Sequence, residues 1–412
     1  MNPILPINRP HLRPIETIIV PDERYGQAVV LRDTEGVTSK VASIPGPLLP
    51  VLARFNGALT VEQIAAEAEA ELGMTIPVPV IRKLVRDLDE ALFLESPRYQ
   101  AERKRVEAEF VRSPVRPATH AGGAYHADPA KLSAYITQDC LGSAGAKQKN
   151  GQVRGLVAPH IDPWRGKRGY GHAYGLLGAG LREEIDTFVL LGTSHAPMRE
   201  PFALCRKAFA TPLGDIEVDE GAVDAIAARA PFDAFTDVFN HKREHSLEFQ
   251  AVFVRHLVGQ RPVRIIPILC GIGENQRTGR CPDEDARAEP FLNAVRAVVE
   301  KHAHRTVVIA GADLAHVGPR FGDAAPYDAG QRQKLERTDR ASLDLAAAQA
   351  HRDFFFQVQS DLDSRRVCGL GPIYALLRVL PDGCHGRLEH YEQTIDPQEG
   401  SIVSHAAMAF YG

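Results

Sequence analysis

The chain has 412 residues and a formal net charge of −4, and 44% of its residues are hydrophobic against 24% charged. It is too long for one ordinary domain, and its composition is that of a globular protein that buries a sizeable core. The weak negative charge gives no support to binding of nucleic acid or of an acidic membrane surface.

The N-terminal stretch and the cysteines indicate in which cellular compartment the protein is expected. MNPILPINRPHLRP is rich in proline and lacks the apolar segment of a signal peptide. No apolar run approaches the roughly 18 residues that a membrane span needs. Six cysteines, none in a Cys-x-x-Cys pair, are too few for a disulfide scaffold. We therefore expect a cytoplasmic protein with reduced thiols and no membrane contact.

Residues 1–100 have the pattern of a small module of strands and helices. The predicted elements are, in order, strands over 27–33 and 39–44, a short helix over 46–57 interrupted by Pro50, a helix that begins after Thr60 and ends at Gly73, and a helix over 79–95 whose apolar face holds Val80, Leu84, Leu88 and Leu92. This order predicts a winged-helix-like α+β domain. Acidic and basic residues are mixed on the last helix, which favours docking of a peptide or protein over binding of DNA.

Residues 101–112 are predicted as a charged connecting segment, and the pattern changes after it. From residue 113 to 412, buried strands alternate with helices. Strands are predicted within 151–162, 187–195, 263–271 and 305–316, and helices within 170–183, 218–230, 290–303 and 369–380. This alternation predicts an α/β domain with a mostly parallel sheet flanked by helices.

Three of the predicted strands end in histidine. GLVAPH ends at His160, TFVLLGTSH ends at His195, and TVVIAGADLAH ends with Asp313 and His316. Ligands bind beyond the carboxyl ends of the strands in open α/β sheets, so we expect these side chains to meet there. One histidine after a strand is usually structural, but three at one edge indicate a metal or acid–base site.

Cys368 is the fourth polar residue expected at this edge. It precedes a predicted helix whose N-terminus would stabilise a thiolate. Two imidazoles and a thiolate are a recognisable set of three metal ligands that leaves positions open for water or substrate. Such a set favours Cu, Zn or Fe over Mg or Ca.

Six segments resemble, in order, those of the Memo family, which is protein B of the AmmeMemoRadiSam system. They are THAGGAYHADPAKL (119–132), VAPHID (157–162), LLGTSHAP (190–197), REHSLEFQ (243–250), ADLAHVG (312–318) and VCGLGPI (367–373). Together they cover about residues 113–412. The family's fold resembles that of class III extradiol dioxygenases, which are non-haem iron enzymes that open catechol rings.

The resemblance implies roles for individual residues. His160, His195 and Cys368 match the family's metal ligands, His316 matches the acid–base histidine of the dioxygenases, and Asp313 lies beside it. Fe(II) or Cu is the favoured ion, and Zn is the further option. The dioxygenases have a glutamate where this chain has Cys368, which argues against ring cleavage itself.

Four further residues are predicted around the pocket as lining residues or supports for the ligands: His245, Glu248, His172 and Asp162. His245 also belongs to the sequence HKREH, whose H-x-x-E-H spacing from His241 is a zinc-hydrolase signature. The apolar periodicity begins only after His241, so the pattern does not place both histidines on one helix. We therefore assign His245 and Glu248 to the pocket and the metal to the strand ends.

Three functions remain open at this point. The first is a metal-dependent, dioxygenase-like redox enzyme that works with a radical-SAM or AMMECR1-like partner. The second is a non-catalytic protein that binds a metal or a peptide, with the N-terminal module as the docking part. The third is a zinc-dependent hydrolase that uses the HKREH sequence.

Overall fold

The computed structural model of the chain describes residues 7–73, 75–145 and 151–412. The chain divides into two compact units, Met1–Arg112 and Ser113–Gly412, called unit 1 and unit 2 below. The first six residues of the proline-rich N-terminal stretch lie outside the described residues. No helix in the described ranges is long and apolar enough to cross a membrane.

Unit 1 consists of a small sheet followed by helices. Its strands β1 (Glu16–Asp22), β2 (Gly26–Arg32) and β3 (Val41–Pro45) are antiparallel and adjacent in chain order. Its helices are α1 (Leu49–Leu52), α2 (Val61–Leu72), α3 (Val78–Glu90) and α4 (Pro97–Arg112), and a 3₁₀ turn at Gly46–Leu48 precedes α1. The segment predicted as a connection, 101–112, is the C-terminal three quarters of α4. The winged-helix-like and docking assignments of unit 1 stay predictions.

Local sequence signals in unit 1 act as expected at some positions and fail at others. Thr60 and Gln63 form the predicted capping box, and Gly73 ends α2 in a left-handed conformation at φ +62°. Pro50 does not interrupt the helix around it, because it lies in the first turn of α1, where no amide hydrogen bond is lost.

The apolar face predicted for α3 is partly wrong. Val80 is 42% exposed, and its neighbour Ile81 is buried in its place. Leu92 lies beyond the end of α3 with φ +67°, while the Phe93 amide donates to the Leu88 carbonyl. The chain therefore turns at Leu92, and the helical periodicity does not continue through it.

Unit 2 is an α/β domain, as predicted. Its strands are β4 (Val115–Arg116), β5 (Val153–Ala158), β6 (Thr187–Thr193), β7 (Phe202–Leu204), β8 (Ala208–Phe209), β9 (Glu217–Val218), β10 (Arg264–Cys270), β11 (Thr306–Gly311), β12 (Asp313–Val317), β13 (His385–Ile395) and β14 (Ile402–Tyr411). Its helices are α5 (Pro129–Tyr135), α6 (Gly142–Ala144), α7 (Pro163–Gly180), α8 (Glu220–Ala227), α9 (His245–Val258), α10 (Gly273–Thr278), α11 (Ala288–Lys301), α12 (Ala329–Ala347), α13 (His351–Gln359) and α14 (Leu370–Val379). A π-helical segment, Ile136–Leu141, joins α5 to α6, and 3₁₀ turns lie at Val238–Lys242, Pro282–Glu284, Ala303–Arg305 and Pro319–Phe321.

The central sheet has the strand order β12-β14-β5-β11-β6-β10-β7, with β13 paired to β14 and β9 paired to β10. The four middle strands β5, β11, β6 and β10 are parallel, and antiparallel strands lie at both edges. The middle strands are almost wholly buried. Their carboxyl ends therefore reach one edge of the sheet together, which is where the predicted histidines follow.

Two features of the sheet differ from the expectation. The β13–β14 hairpin at the C-terminus was not predicted, and every residue of β14 is buried. The segment predicted as one strand up to His316 is two strands. After Gly311 the Ala312 amide donates to the Ala158 carbonyl. Strand β12 then pairs antiparallel with β14 and is the last strand at that end of the strand order. His316 thus approaches the site on a strand of its own.

The close packing of α7 depends on the absence of a side chain at Gly171, and we predict the effect of adding one. A Cβ at Gly171 would lie 2.0 Å from the Cys140 carbonyl oxygen of the π-helical segment, whereas a Cβ at Gly178 would meet only the end of the Leu257 side chain at 3.3 Å. Gly171→Ala should destabilise the protein by about 1–3 kcal/mol. Gly178→Ala, the matched control on the same helix, should be neutral or slightly stabilising. Urea unfolding followed by circular dichroism measures both, and equal midpoints would contradict the packing argument.

Candidate metal centre

His160 follows β5 and is held at the sheet edge by two hydrogen bonds. Its Nδ1 lies 2.9 Å from the Gly311 carbonyl oxygen, to which it donates in the tautomer that leaves Nε2 free. Its backbone amide donates to Asp313 Oδ1 at 2.9 Å. The imidazole is 2% exposed. These contacts fix the ring so that the unprotonated Nε2 is available to a metal.

His195 follows β6 and is oriented by a carboxylate. Its backbone amide donates to Glu244 Oε2 at 2.9 Å, and its Nδ1 lies 2.9 Å from Glu244 Oε1. Glu244 is the N-cap residue of α9, where it also accepts from the Ser246 amide. A carboxylate on Nδ1 fixes the tautomer and raises the basicity of Nε2, as is typical of metal-binding histidines. The His195 side chain is 36% exposed, so the site is open to solvent.

Cys368 lies in the turn before α14, and Asp313 ties this turn to β5. The Cys368 Sγ is 3.2 Å from His160 Nε2. The Gly369 amide donates to the Asp313 carbonyl at 3.0 Å, and a Cβ at Gly369 would lie 2.2 Å from that oxygen. Only glycine permits this approach. Asp313 therefore contacts His160 through its carboxylate and the Cys368 turn through its main chain.

The ligand atoms of His160, His195 and Cys368 all lie within 4.8 Å of one another. Both imidazoles use Nδ1 for protein contacts, and the Cys368 Sγ lies beside the Nε2 of His160. This donor set is suited to Fe, Cu or Zn and leaves coordination positions open. The residues present therefore fit a single transition-metal ion.

Burial sets the protonation of these groups in the metal-free protein. Burial, and after it the charge of His195, lowers the pKa of His160 to about 4, so this imidazole is neutral and ready to bind a metal near pH 7. Burial, followed by the charge of Asp313, raises the pKa of the Cys368 thiol well above its usual range. The sequence-based expectation of a thiolate stabilised by the α14 N-terminus does not describe the metal-free state. A bound cation would reverse this balance.

His316 lies on β12 with its Nδ1 3.2 Å from the Leu314 carbonyl oxygen and its ring against Phe321. Burial lowers its pKa to about 4, and His160 and His195 are close enough to contribute to this lowering. Burial raises the pKa of Asp313, against the opposing charges of His405 and His316. His316 is thus a neutral base near the ligands at neutral pH, and Asp313 is a buried organiser of two ligand-bearing loops.

His245 and His120 extend the ligand pair into a cluster of four imidazoles. The His245 ring stacks on His195 at 4.5 Å and meets His160 at 5.4 Å, between ring centroids. The His120 ring contacts His245 at 5.7 Å. Burial and the neighbouring His195 hold the pKa of His245 well below its usual range. Glu244 lies 3.5 Å from His245 Nδ1, and His195, Glu244 and His245 form a second cluster with metal-ligand geometry.

Glu248 supports this cluster from within the fold. It is fully buried and accepts hydrogen bonds from the Thr119 and His120 amides and from the Tyr125 hydroxyl, and its Oε2 lies 3.0 Å from His120 Nδ1. Arg116 forms an ion pair with it inside the protein. Burial alone would raise the pKa of Glu248, but Arg116, His120 and Tyr125 together hold it well below its usual range. Glu248 is therefore a permanent carboxylate that orients His120.

The remaining predicted residues take different positions. His172 on α7 stacks on His390 of β13 at 4.4 Å, and the described contacts do not bring it to the histidine cluster. Asp162 caps α7 by accepting from the Arg165 amide, and it also binds the Arg165 guanidinium. These contacts give Asp162 a local structural role.

His241 does not join His245 in a metal site. It lies in the 3₁₀ turn before α9 and is 1% exposed, and its Nε2 is 3.1 Å from the Ala203 carbonyl oxygen. Glu244 begins the next helix, so the two histidines of HKREH are not on one helical face. The metal-ligand clusters in the described ranges do not include His241. His241 and His245 therefore do not form the joint zinc site that the H-x-x-E-H spacing suggests in the part of the chain that the structure describes.

Sequence reasoning did not single out Glu244 and His120, although both lie inside segments that carried the family resemblance. The signal for Glu244 was its position directly before His245 at the start of an apolar helix, which is a capping position. His120 has no comparable local signal, because its partner Glu248 is far away in the chain.

Removing the carboxylate that orients His195 should weaken metal binding. Glu244→Gln keeps the shape of the side chain but removes its charge. The His195 Nδ1 then loses the carboxylate that keeps it protonated, so the ring can adopt the tautomer in which Nε2 carries the proton. We expect a loss of metal affinity of about 10–100-fold, which is typical for such supporting carboxylates. Competition with a chromophoric chelator measures it, with Glu274→Gln on exposed α10 as the matched control. Unchanged affinity would show that Glu244 does not tune the ligand.

The comparisons with known proteins agree on one family. The model of a family described as Memo-like protein matches residues 116–409. The chain is 28% identical over 389 residues to a MEMO1 family protein of Aquifex aeolicus, which covers 94% of this chain and 97% of that protein. It is 29% identical to MEMO1 family protein TTHA0924 of Thermus thermophilus over 70% of this chain and 80% of that protein. It is 26% identical to the Protein memo-1 homolog of Caenorhabditis elegans over 71% of this chain and 81% of that protein.

The Aquifex similarity also bears on unit 1. The part of the chain that this match leaves out is much shorter than residues 1–112. The similarity therefore extends into unit 1, whereas the resemblance seen in the sequence covered only residues 113–412.

Proposed function

The chain belongs to the Memo family, and from that premise we propose that it is a metal-dependent redox protein with one Fe or Cu ion bound by His160, His195 and Cys368. The observation that carries the proposal is the convergence of one ligand atom each from His160, His195 and Cys368 within 4.8 Å. The ion would supply one-electron redox chemistry and polarise a bound substrate. Zn²⁺ fits the same donor set and is the competing ion.

Residues around the ion would accept a proton, bind the substrate and position the loops that carry the ligands. His316, neutral near pH 7 with a pKa of about 4, would accept a proton from a substrate bound beside the ligands. His120, with Nδ1 against Glu248, would present Nε2 to the pocket as a hydrogen-bonding group for the substrate. Its side chain is 21% exposed. Asp313 would hold the two ligand loops in register.

The experiment is a metal analysis of the protein purified anaerobically without added metal. We expect about one equivalent of Fe or Cu per chain by mass spectrometry, and a thiolate-to-metal absorption band if Cys368 is a ligand. Oxygen consumption with and without a reductant then tests redox function. A protein that retains only Zn²⁺, or no metal, would contradict the redox proposal.

A second function is favoured by the chemistry of Cys368. A thiolate where the dioxygenases have a glutamate changes the softness and the redox potential of the site, which suits metal or peptide binding without ring cleavage. In this alternative the protein binds its metal but consumes no oxygen with any reductant. The metal analysis and the oxygen measurement together separate the two functions.

We further propose that unit 1 docks a peptide or protein partner, with a radical-SAM or AMMECR1-like protein as the first class to test. The extension of the Aquifex similarity into unit 1 supports a shared role for it. The six cysteines are free thiols, which supports the proposed cytoplasmic location. Cross-linking of the full chain to such a partner, mapped by mass spectrometry, should give links to unit 1. Links confined to unit 2 would remove the docking role.

A further inference from the structure

A cavity of about 460 Å³ lies at the amino ends of three parallel strands of unit 2. Its lining includes Thr187, Arg264 and Thr306, which are the first residues of β6, β10 and β11. The metal ligand His195 follows the opposite end of β6. A strand of seven residues spans about 20 Å, so this cavity is separate from the metal centre.

The cavity has an apolar wall of small residues. Gly221, Ala222 and Ala225 of α8 form one side, and Ala297 and Val298 of α11 form the other. Small side chains at the facing surfaces of two helices leave the space between them open. The volume is that of a pocket for a small organic molecule, and a concave space between helices does not suit a membrane or a nucleic-acid duplex.

Cationic side chains surround this wall. Arg229, Arg264 and Lys301 line the cavity and make no ion pair with any carboxylate in the part of the chain that the structure describes. All three side chains are exposed, and together they give the space a positive potential. Structural arginines and lysines elsewhere in unit 2 are commonly paired, as Arg296 is with Glu300 and Asp382.

The other charges at the cavity are already engaged. Arg305 forms an ion pair with Asp186, which leaves no net charge from that pair. Asp219 caps α8 by accepting from the Ala222 amide, so one negative charge remains at the edge of the cavity. The three unpaired cations therefore outnumber the single lining carboxylate, and the cavity is positive.

We propose that this cavity binds a small organic anion that carries at least two negative charges on phosphate or carboxylate groups. Arg229, Arg264 and Lys301 contact the charged groups, and the alanine wall of α8 and α11 contacts the apolar part of the molecule. Charge-assisted hydrogen bonds from two arginines and a lysine favour a multiply charged ligand over a singly charged one.

The test uses the full chain and three probes: pyrophosphate, citrate and chloride at matched ionic strength. Isothermal titration at low ionic strength should give a dissociation constant below about 1 mM for pyrophosphate or citrate and no binding of chloride. Pyrophosphate without citrate identifies phosphate chemistry, and the reverse identifies carboxylate chemistry. In Arg229→Gln/Arg264→Gln the affinity should fall about tenfold or more. Lys334→Gln/Arg337→Gln, which removes the same charge from exposed positions of α12, should leave it unchanged.

A second measurement locates the ligand without any substitution. Acetylation of Lys301, followed by mass spectrometry, should slow in the presence of the bound anion, while acetylation of Lys334 should not. Any one of three results would overturn the proposal. They are no binding of either polyanion, equal affinity in the two double variants, and no protection of Lys301 from acetylation.

Discussion

Replacing Cys368 by serine is expected to lower the metal affinity by more than about 100-fold and to reduce its dependence on pH. The loss should exceed that for a supporting carboxylate, because a ligand atom itself is removed. Serine keeps the size of the side chain but supplies a hydroxyl that stays protonated and binds soft ions weakly. The two imidazoles alone would then hold the ion.

The pH effect follows from the protonation of the thiol. Burial, followed by the charge of Asp313, raises the pKa of Cys368 in the metal-free protein, so the thiol carries a proton throughout the neutral range. Metal binding must displace this proton, and the apparent affinity of the wild type should rise about tenfold per pH unit from this group alone. His160 adds no proton in this range, because its pKa is about 4. The slope for Cys368→Ser should therefore be smaller by about one proton.

The measurement is a competition titration with a chromophoric chelator between pH 6 and 8, with Zn²⁺ as a redox-inert probe. Cys384→Ser is the matched control, because Cys384 is a buried free cysteine outside the metal-ligand clusters of the described ranges. We expect wild-type affinity and slope for that variant. If Cys368→Ser binds with the wild-type slope, the thiolate is not a ligand, and His195 with His245 and Glu244 becomes the site to test.

The place where His160 and His195 meet could be predicted from the sequence because strand ends are a local signal. His160 and His195 follow continuous apolar strands, and β5 and β6 lie on either side of β11 in the middle of the sheet. Any parallel arrangement of these strands brings their carboxyl ends to one edge. The same reasoning did not predict the element that carries His316, because β12 is a separate strand and not the continuation of β11. Its register depends on β14, which is distant in the sequence.

The contacts that orient the histidines could not be predicted in this way, although Glu248 itself was predicted as a pocket residue or support for the ligands. Glu244 reaches His195 from 49 positions away, and Glu248 reaches His120 from 128 positions away. Each contact depends on how α9 packs beside the sheet, so the local pattern does not reveal which histidine each carboxylate reaches. The α9 periodicity did exclude a joint zinc site for His241 and His245, because a helix that begins at His245 cannot carry His241 on its face.

The largest expected effect on stability comes from Arg116, the buried cation beside the metal-binding cluster. Its guanidinium is fully buried, forms an ion pair with Glu248, and donates to the carbonyl oxygens of His241 and Glu244. It thus joins β4 to the loop that precedes α9. Arg116→Met keeps much of the apolar volume and removes the charge. The buried carboxylate of Glu248 would then lack its counterion, which costs about 3–5 kcal/mol.

A pair of variants separates the charge effect from simple packing. In Arg116→Met/Glu248→Gln no carboxylate is left uncompensated, so the double variant should recover part of the stability lost in Arg116→Met. Arg105→Met, which breaks only an exposed pair network on α4, should leave the unfolding midpoint of unit 2 unchanged. Guanidinium unfolding of the metal-free proteins measures these differences without a contribution from metal binding.

Acid should reveal the same interaction. The pKa of Glu248 is held well below 4.5 in the folded protein, so its stabilising contribution is complete above pH 4.5 and is lost as the pH falls toward the folded-state pKa. Glu248→Gln removes this component, and its stability should therefore fall less between pH 5 and 3 than that of the wild type. Two results together would contradict a stabilising role for the buried pair. They are an equal loss of stability between pH 5 and 3 in both proteins and a destabilisation below about 1 kcal/mol for Arg116→Met.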